Sequence, residues 1–401
     1  MTLTLLLDLD GTLLDNNMDS FLEGYLGAFG KHVRKVIDPG TFVTELLSAT
    51  RKMVSNHAPN QTLEQAFDSA FYPSIGKSKQ DLQGIIDSFY REVFPTLKAL
   101  TRPVPEAVSL VRAAFERGYL VCIATNPLFP LTAIQQRLDW AGLPVSEYPF
   151  LLVPSYETFH FAKPNPAYYT EFLGLIDQSA GPVVMVGNDP VSDITAANQA
   201  GLATFWLDDR VLVLPSGIQP LPRHASLDEF MPWLDSIPLE SLTPDYSTPH
   251  AIIAVLRGTA AVMDTLSRQL PARAWIKKPR PDEWSLVEVI CHMRDVDLEV
   301  NLPRIRKVTQ ETNPFIPGKD TDPWAAERQY ILQDCLAALD SFILARIELL
   351  SLLESLAPED WQRLARHAIL GPTTIQELAG IIASHDRLHL QQAHQVTHAV
   401  S

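Results

Sequence analysis

Five short, unbroken apolar runs punctuate the first half of the chain: LTLLLDL (3–9), YLVCIAT (119–125), PFLLVPS (149–155), PVVMVGN (182–188) and ATFWLD (203–208). Continuous rather than alternating hydrophobicity marks strands whose sheet is covered on both faces, the situation of a parallel sheet. Helical patterns separate the later runs, for example PEAVSLVRAAFERG (105–118), where Gly118 supplies a stop. This alternation predicts an α/β domain with a Rossmann-like, doubly wound parallel sheet. Residues 16–102 break the rhythm. They lie between the first two runs, read as mostly helical and are too long for a simple crossover, so they are expected to form an inserted helical cap.

After residue 209 the composition changes, with Pro215, Pro220, Pro222, Pro238, Pro244 and Pro249 as punctuation and SLDEFMPWL (226–234) as a last helix of the first unit. Four long helical patterns follow, at 247–270, 284–308, 324–356 and 373–399, the number an all-α four-helix bundle requires. The expected division is a first domain over 1–236 (core 1–15 and 103–236, cap 16–102), a linker over 237–247 and the bundle over 248–401. A length of 401 residues suits two domains, and a hydrophobic share of 46% is enough for a core in each.

The formal net charge of −15, with no basic stripe, excludes non-specific nucleic-acid binding, which needs clustered Lys and Arg to neutralise phosphates. Cys122, Cys291 and Cys335 are far apart and form no C-x-x-C, which fits a reducing compartment without a disulfide framework. The N-terminal run lacks a basic flank and is interrupted at Asp8, and no stretch approaches the roughly 18 apolar residues of a membrane span. The expectation is a cytoplasmic protein with no membrane contact.

The first run ends in Asp8 and Asp10, two carboxylates whose alternation on a strand points them to one side. They repel each other unless a cation lies between them. Ligands of open α/β sheets bind beyond the carboxyl ends of the strands, and the other runs deliver polar groups to that same edge: Thr125 and Asn126, Lys163 in FAKPNP, and Asp189 and Asp193 in GNDPVSD. Carboxylates from two loops suit Mg²⁺, a hard cation that prefers oxygen. A carboxylate can also attack a phosphoryl group, a second can move protons, and a hydroxyl, a lysine and the cation can neutralise the transferring charge. GKS (76–78) is not a phosphate loop, since the glycine required upstream is replaced by Phe71.

The order D-x-D-G-T, T-N, K-P, G-N-D-x-x-x-D resembles the haloacid dehalogenase-like hydrolase superfamily over residues 1 to about 236, with the insertion similar to its type-one helical cap. The resemblance implies Asp8 as nucleophile and Mg²⁺ ligand, and Asp10 as general acid/base and metal ligand through its backbone carbonyl. It further implies Thr125, Asn126 and Lys163 at the phosphoryl group, Asp189 as Mg²⁺ ligand and Asp193 as support for that site or for Lys163. The substrate so implied is a small phosphorylated metabolite. Asp10 disfavours dehalogenation, and Asn188 stands where many relatives carry Asp.

Seven of the eleven histidines follow residue 249. His385/His389 and His394/His398 are i,i+4 pairs, each able to share a helix face. Leu378, Ile381 and Ile382 place the first pair toward the bundle interior, whereas nine residues of helix turn the second pair about half a revolution outward, into solvent. His292 follows EWSLVEVI on an earlier helix, and three imidazoles from two helices would make an open site for Zn²⁺, Ni²⁺ or Fe²⁺. WSLVEVICH (284–292) and HDRLHLQQ (385–392) resemble the DinB-like metal-binding four-helix-bundle superfamily, which implies His292, His385 and His389 as the metal triad and a bundle that can form a homodimer. A metal-dependent thiol transferase in the bundle, or a non-enzymatic dimerisation or sensing module, are the alternatives to phosphate-ester hydrolysis as the chain's main activity.

Overall fold

The computed structural model describes residues 2–177, 181–208 and 223–400; Pro215, Pro220 and Pro222 lie outside them. Strand β1 (Thr4–Leu7) leads into a short β2 (Leu14–Asn16), the cap helices α1 (Met18–Val33), α2 (Pro39–Val54), α3 (Leu63–Ser74) and α4 (Lys79–Ser88), and β3 (Thr101–Pro103). Helix α5 (Pro105–Glu116), β4 (Leu120–Ile123), α6 (Leu131–Trp140), α7 (Ala167–Leu175), β5 (Val183–Gly187), α8 (Ala196–Gln199), β6 (Ala203–Leu207), β7 (Arg223–His224) and α9 (Phe230–Asp235) complete the first half. The main sheet has the order β4-β1-β5-β6-β7 with every pairing parallel. Leu5, Leu7, Val121, Ile123, Val184 and Val186 bury one face, while Leu6, Cys122, Val183 and Met185 bury the other. Two covered faces explain why these strands read as continuous apolar runs.

The antiparallel pair β2–β3 joins the two chain crossings of the helical insertion, and Leu63 N and Glu64 N donate to Phe159 O and Tyr156 O, holding the insertion against the core. The run at 149–155 is not a ladder strand. Leu151 N reaches Val121 O and Leu152 O accepts from Ile123 N, but Pro149 and Pro154 remove donors at both ends.

In the second half, α10 (Pro249–Gln269), α11 (Leu286–Val296), α12 (Leu302–Gln310), α13 (Trp324–Glu327), α14 (Cys335–Glu354) and α15 (Ile375–Val400) build the bundle. A π-helical segment at Asp297–Asn301 joins α11 to α12 without a break. The pattern at 324–356 divides at Gln329, which has a left-handed φ of 50°. A small sheet, β8 (Phe315–Ile316), β9 (Leu364–His367) and β10 (Gly371–Thr374), is an addition the helical pattern did not announce. The 237–247 stretch is packed, with Leu242 buried and Asp245 N donating to Gly201 O.

The two halves dock closely. Residues 167–174 of α7 are all buried, Thr170 and Glu171 included. Thr170 Oγ1 donates to Ala254 O at 2.5 Å, and a Cβ on Gly258 would sit 2.7 Å from Glu171 N, so only glycine lets α10 approach this near. His160 bridges the seam. Its Nδ1 lies 2.7 Å from Glu171 Oε1, and its Nε2 lies 3.5 Å from Asp264 Oδ2 on α10. Burial opposes a charge on this ring, but Glu171 and Asp264 outweigh it and raise the pKa to about 9.

Candidate active site and candidate metal centre

Asp8 stands immediately after β1, its N–H bonded to Val186 O on β5 at 2.9 Å. The chain then turns at Gly11, where φ is 78° and where a Cβ would meet the Asn188 side chain. Thr12 Oγ1 donates to Asp8 Oδ2 at 3.1 Å. Lys163 is 2% exposed and its Nζ lies 3.0 Å from Asp8 Oδ1 and 2.5 Å from Asp193 Oδ1. Burial opposes the ammonium charge, but Asp193 and Asp8 more than offset it and hold Lys163 protonated. Asn126 fixes the lysine's backbone, accepting from Lys163 N at 3.2 Å and donating to Lys163 O at 3.4 Å. Tyr168 OH donates to Thr125 O at 2.9 Å, anchoring the loop that carries the buried Thr125.

Asp193 uses both oxygens inside the protein. Oδ1 takes Lys163, and Oδ2 accepts from Asn188 N and Asp189 N at 3.1 and 3.0 Å. Of the two supporting roles expected for Asp193, the one at Lys163 has a direct contact. A side chain on Gly187 would collide with this carboxylate, 2.6 Å from Asp193 Cβ. Asp189 is exposed and caps its own turn, one oxygen accepting from Val191 N and Ser192 N. Asp10 faces the cap side, where Asn16 Nδ2 donates to it at 2.9 Å and the Arg137 guanidinium pairs with it.

Arg137 is a residue beside Asp10 to which motif spacing does not point. It is 1% exposed on α6, its rim close to the Phe21 and Phe129 rings, and burial lowers its pKa to about 10 against the pull of Asp8. A signal existed, because Ile134, Arg137, Leu138 and Ala141 share one helix face and all are buried. Two cations, Lys163 and Arg137, thus stand where the acidic pair required compensation.

The carboxylate set is a hard-oxygen donor set suited to Mg²⁺, drawn from the ends of the adjacent strands β1 and β5. It is loosely gathered, however. Among the described residues, the one group of three or more ligand atoms within 4.8 Å of one another is His292, His385 and His389. His292 projects from α11 and the other two from α15. His385 Nε2 lies 3.2 Å from His292 Nε2 and 3.0 Å from His389 Nε2. Burial first, and the neighbouring imidazoles second, depress His292 to about 3 and His389 to about 4; burial also lowers His385. The rings are therefore neutral at pH 7, the state in which imidazole coordinates a metal. Trp284 stacks on His389 at 5.9 Å, and Gln392 Oε1 lies 2.9 Å from His389 Nδ1. Beside the trio a buried Arg346 bonds Asp297 and Asp386.

The helix phase of α15 needs two corrections. Ile381 is 47% exposed, whereas Leu378 and Ile382 are buried; His292 is buried and His385 and His389 are half-buried. His394 is buried, not solvated, and its Nε2 lies 2.6 Å from Gly174 O of α7. The half-turn separation from His385 is as expected, but the far side of α15 meets the first domain rather than water. His398 is exposed.

A model of the haloacid dehalogenase-like hydrolases matches residues 2–201, and a model of the DinB superfamily matches residues 256–393. The chain is 42% identical over 132 residues to the pyrimidine 5′-nucleotidase YjjG of Escherichia coli K12, covering 32% of this chain and 54% of that protein. It is 26% identical over 201 residues to a phosphoglycolate phosphatase of Mesorhizobium japonicum, covering 50% of this chain and 80% of that protein. The chain thus spans about half the length of the first of these relatives. The solved structure of YfiT from Bacillus subtilis, a bundle of unusual four-helix topology, aligns with 18% identity and a TM-score of 0.35, covering 40% of this chain and 91% of that one. No helix among the described residues is long and apolar enough to cross a membrane.

Proposed function

The chain joins a haloacid dehalogenase-like hydrolase (residues 2–201) to a DinB-superfamily domain (residues 256–393), and from that premise we propose that its first half hydrolyses a small phosphate monoester through a phosphorylated Asp8. The observation that carries this reading is Lys163 held between Asp8 and Asp193 at the carboxyl edge of a parallel sheet. Asp8 attacks phosphorus, and the O–P bond of the resulting acyl phosphate, a mixed anhydride, forms as the O–P bond to the departing alcohol breaks. Asp10 gives the alcohol its proton and then takes one from the water that cleaves the acyl phosphate, restoring Asp8 and releasing inorganic phosphate. Thr125, Asn126 and Lys163 hold the phosphoryl oxygens in place, with Asp193 fixing the lysine. Asp8, Asp189 and the Asp10 backbone carbonyl are the residues that would hold Mg²⁺, which supplies charge neutralisation at the transferring group.

A specific observation favours a second assignment alongside the first. The convergence of three neutral imidazole nitrogens suits one Zn²⁺, Ni²⁺ or Fe²⁺ held by His292, His385 and His389. Phosphate release from an alkyl phosphate, measured with the full chain, is expected to cease on chelation and to return with Mg²⁺ alone. Turnover indifferent to Mg²⁺ would contradict the assignment.

A further inference from the structure

Between the cap helices and the core lies a cavity of about 890 Å³, with Asp10 and Asn126 in its core-side wall and α1–α4 around the rest. That is the volume of a site for a drug-sized ligand, far more than a two-carbon ester fills. Much of the wall is aromatic: Phe21, Phe29, Phe67, Phe71 and Phe129 all line it. Small polar substrates would leave these rings facing trapped water, whereas an arene would bury them and itself.

The charges of the wall point the same way. Three cations line the cavity, and each already has a carboxylate: Lys79 Nζ lies 2.6 Å from Glu64 and 2.8 Å from Asp68, Arg91 lies 2.8 Å from Glu92, and Arg137 pairs with Asp10. Asp87 and Glu157 add further negative charge to the wall. A second phosphate or carboxylate on the substrate would meet no cation that is not already neutralised among the described residues. Gln136, also in the wall, keeps its Oε1 buried without a hydrogen-bond partner, an acceptor awaiting a donor.

We infer that the leaving group accepted here is a bulky aromatic alcohol that carries no anion of its own and offers an N–H or O–H donor to Gln136. This rests on the phosphatase reading and narrows it, setting the chain apart from enzymes whose substrates bear a second acid group.

The test is a series of primary-alcohol phosphates given to the full chain with Mg²⁺: ethyl, benzyl, 2-naphthylmethyl and the carboxylate-bearing 2-phosphoglycolate. kcat/KM is expected to rise at least about tenfold from ethyl to 2-naphthylmethyl, with phosphoglycolate the poorest. A flat series, or a preference for phosphoglycolate, overturns the inference while leaving the phosphatase reading standing. If no ester is hydrolysed the phosphatase reading fails, and calorimetry then decides the inference alone. 2-Naphthylmethylphosphonate should bind at least about tenfold tighter than phosphonoacetate, and equal or reversed affinities overturn it. Glu64→Gln combined with Asp68→Asn frees Lys79 and should raise kcat/KM for phosphoglycolate relative to benzyl phosphate by about tenfold. An unchanged ratio in the folded variant overturns the charge argument.

Discussion

The carboxylate site and the imidazole site face the same physical problem and solve it in opposite ways. Each gathers ionisable groups of one kind inside the protein, where like charges repel strongly. Asp8, Asp10 and Asp193 gather at the first site, and the fold brings buried cations to them: Lys163, 2% exposed, and Arg137, 1% exposed. His292, His385 and His389 can shed their charge, and burial makes them do so. The first site is therefore a network of ion pairs whose members depend on one another. The second is a cluster of imidazole nitrogens 3.0 and 3.2 Å from one another, the donor set a borderline-soft metal ion completes.

The comparison breaks most visibly if Asp10 proves dispensable. Asp10→Asn is expected to slow turnover of an alkyl phosphate by roughly 10²–10⁴-fold, the usual worth of general acid–base catalysis. The first chemical step on an aryl phosphate, whose leaving group needs little protonation, should suffer less in single-turnover measurements. Equal losses for both would remove the acid role. Next in size is the dependence of the carboxylates on their cation. Lys163→Met leaves Asp8 and Asp193 buried and uncompensated, at a cost of about 3–5 kcal/mol in denaturant unfolding. No change in stability would mean the pair is solvated in solution.

A fourth histidine sharpens the contrast, because His160 is buried yet held charged. Its pKa in the folded protein, about 9, lies above the ordinary value near 6.5. The stabilisation this confers is complete below pH 6.5 and is lost as pH rises through about 9. The size is roughly 3 kcal/mol by linkage. His292 and His389 have the opposite sign. Their folded pKa values, about 3 and about 4, lie below the ordinary value, so stability is full above pH 6.5 and declines as pH falls toward those values. Thermal stability of the full chain against pH should fall on both sides of neutrality. His160→Gln is expected to flatten the alkaline limb alone, and loss of the acid limb in that variant would contradict the assignment.

Much of this was readable before the fold was known. The strands were legible because both sheet faces are covered, so Leu5 and Leu6 are buried on opposite sides and no alternation appears. The residues of the carboxylate site were legible because each follows an apolar run and each belongs to a compact motif. What was missed depends on partners distant in sequence. Arg137 looked like an ordinary helix charge until Asp10, more than a hundred residues earlier, was placed beside it. His394 was assigned to solvent because nothing local to α15 reveals that α7 lies against its far side. The 149–155 run satisfied the apolar criterion, yet its flanking prolines decided against a ladder. That Asp193 bonds Lys163 and two backbone N–H groups depends on the fold and not on its motif.

The central claim is that the two sites are chemically independent, one run by carboxylates and the other by imidazoles. The most direct test measures phosphate release and bound transition metal together in Asp8→Asn and His385→Ala. Asp8→Asn is expected to lose roughly 10⁴–10⁶-fold in turnover, as removal of a nucleophile does, while keeping about one transition-metal ion per chain, the capacity of a single three-histidine site. His385→Ala should lose that ion and keep its turnover. Abolished turnover in a folded His385→Ala variant, or loss of the transition metal in Asp8→Asn, would contradict the account.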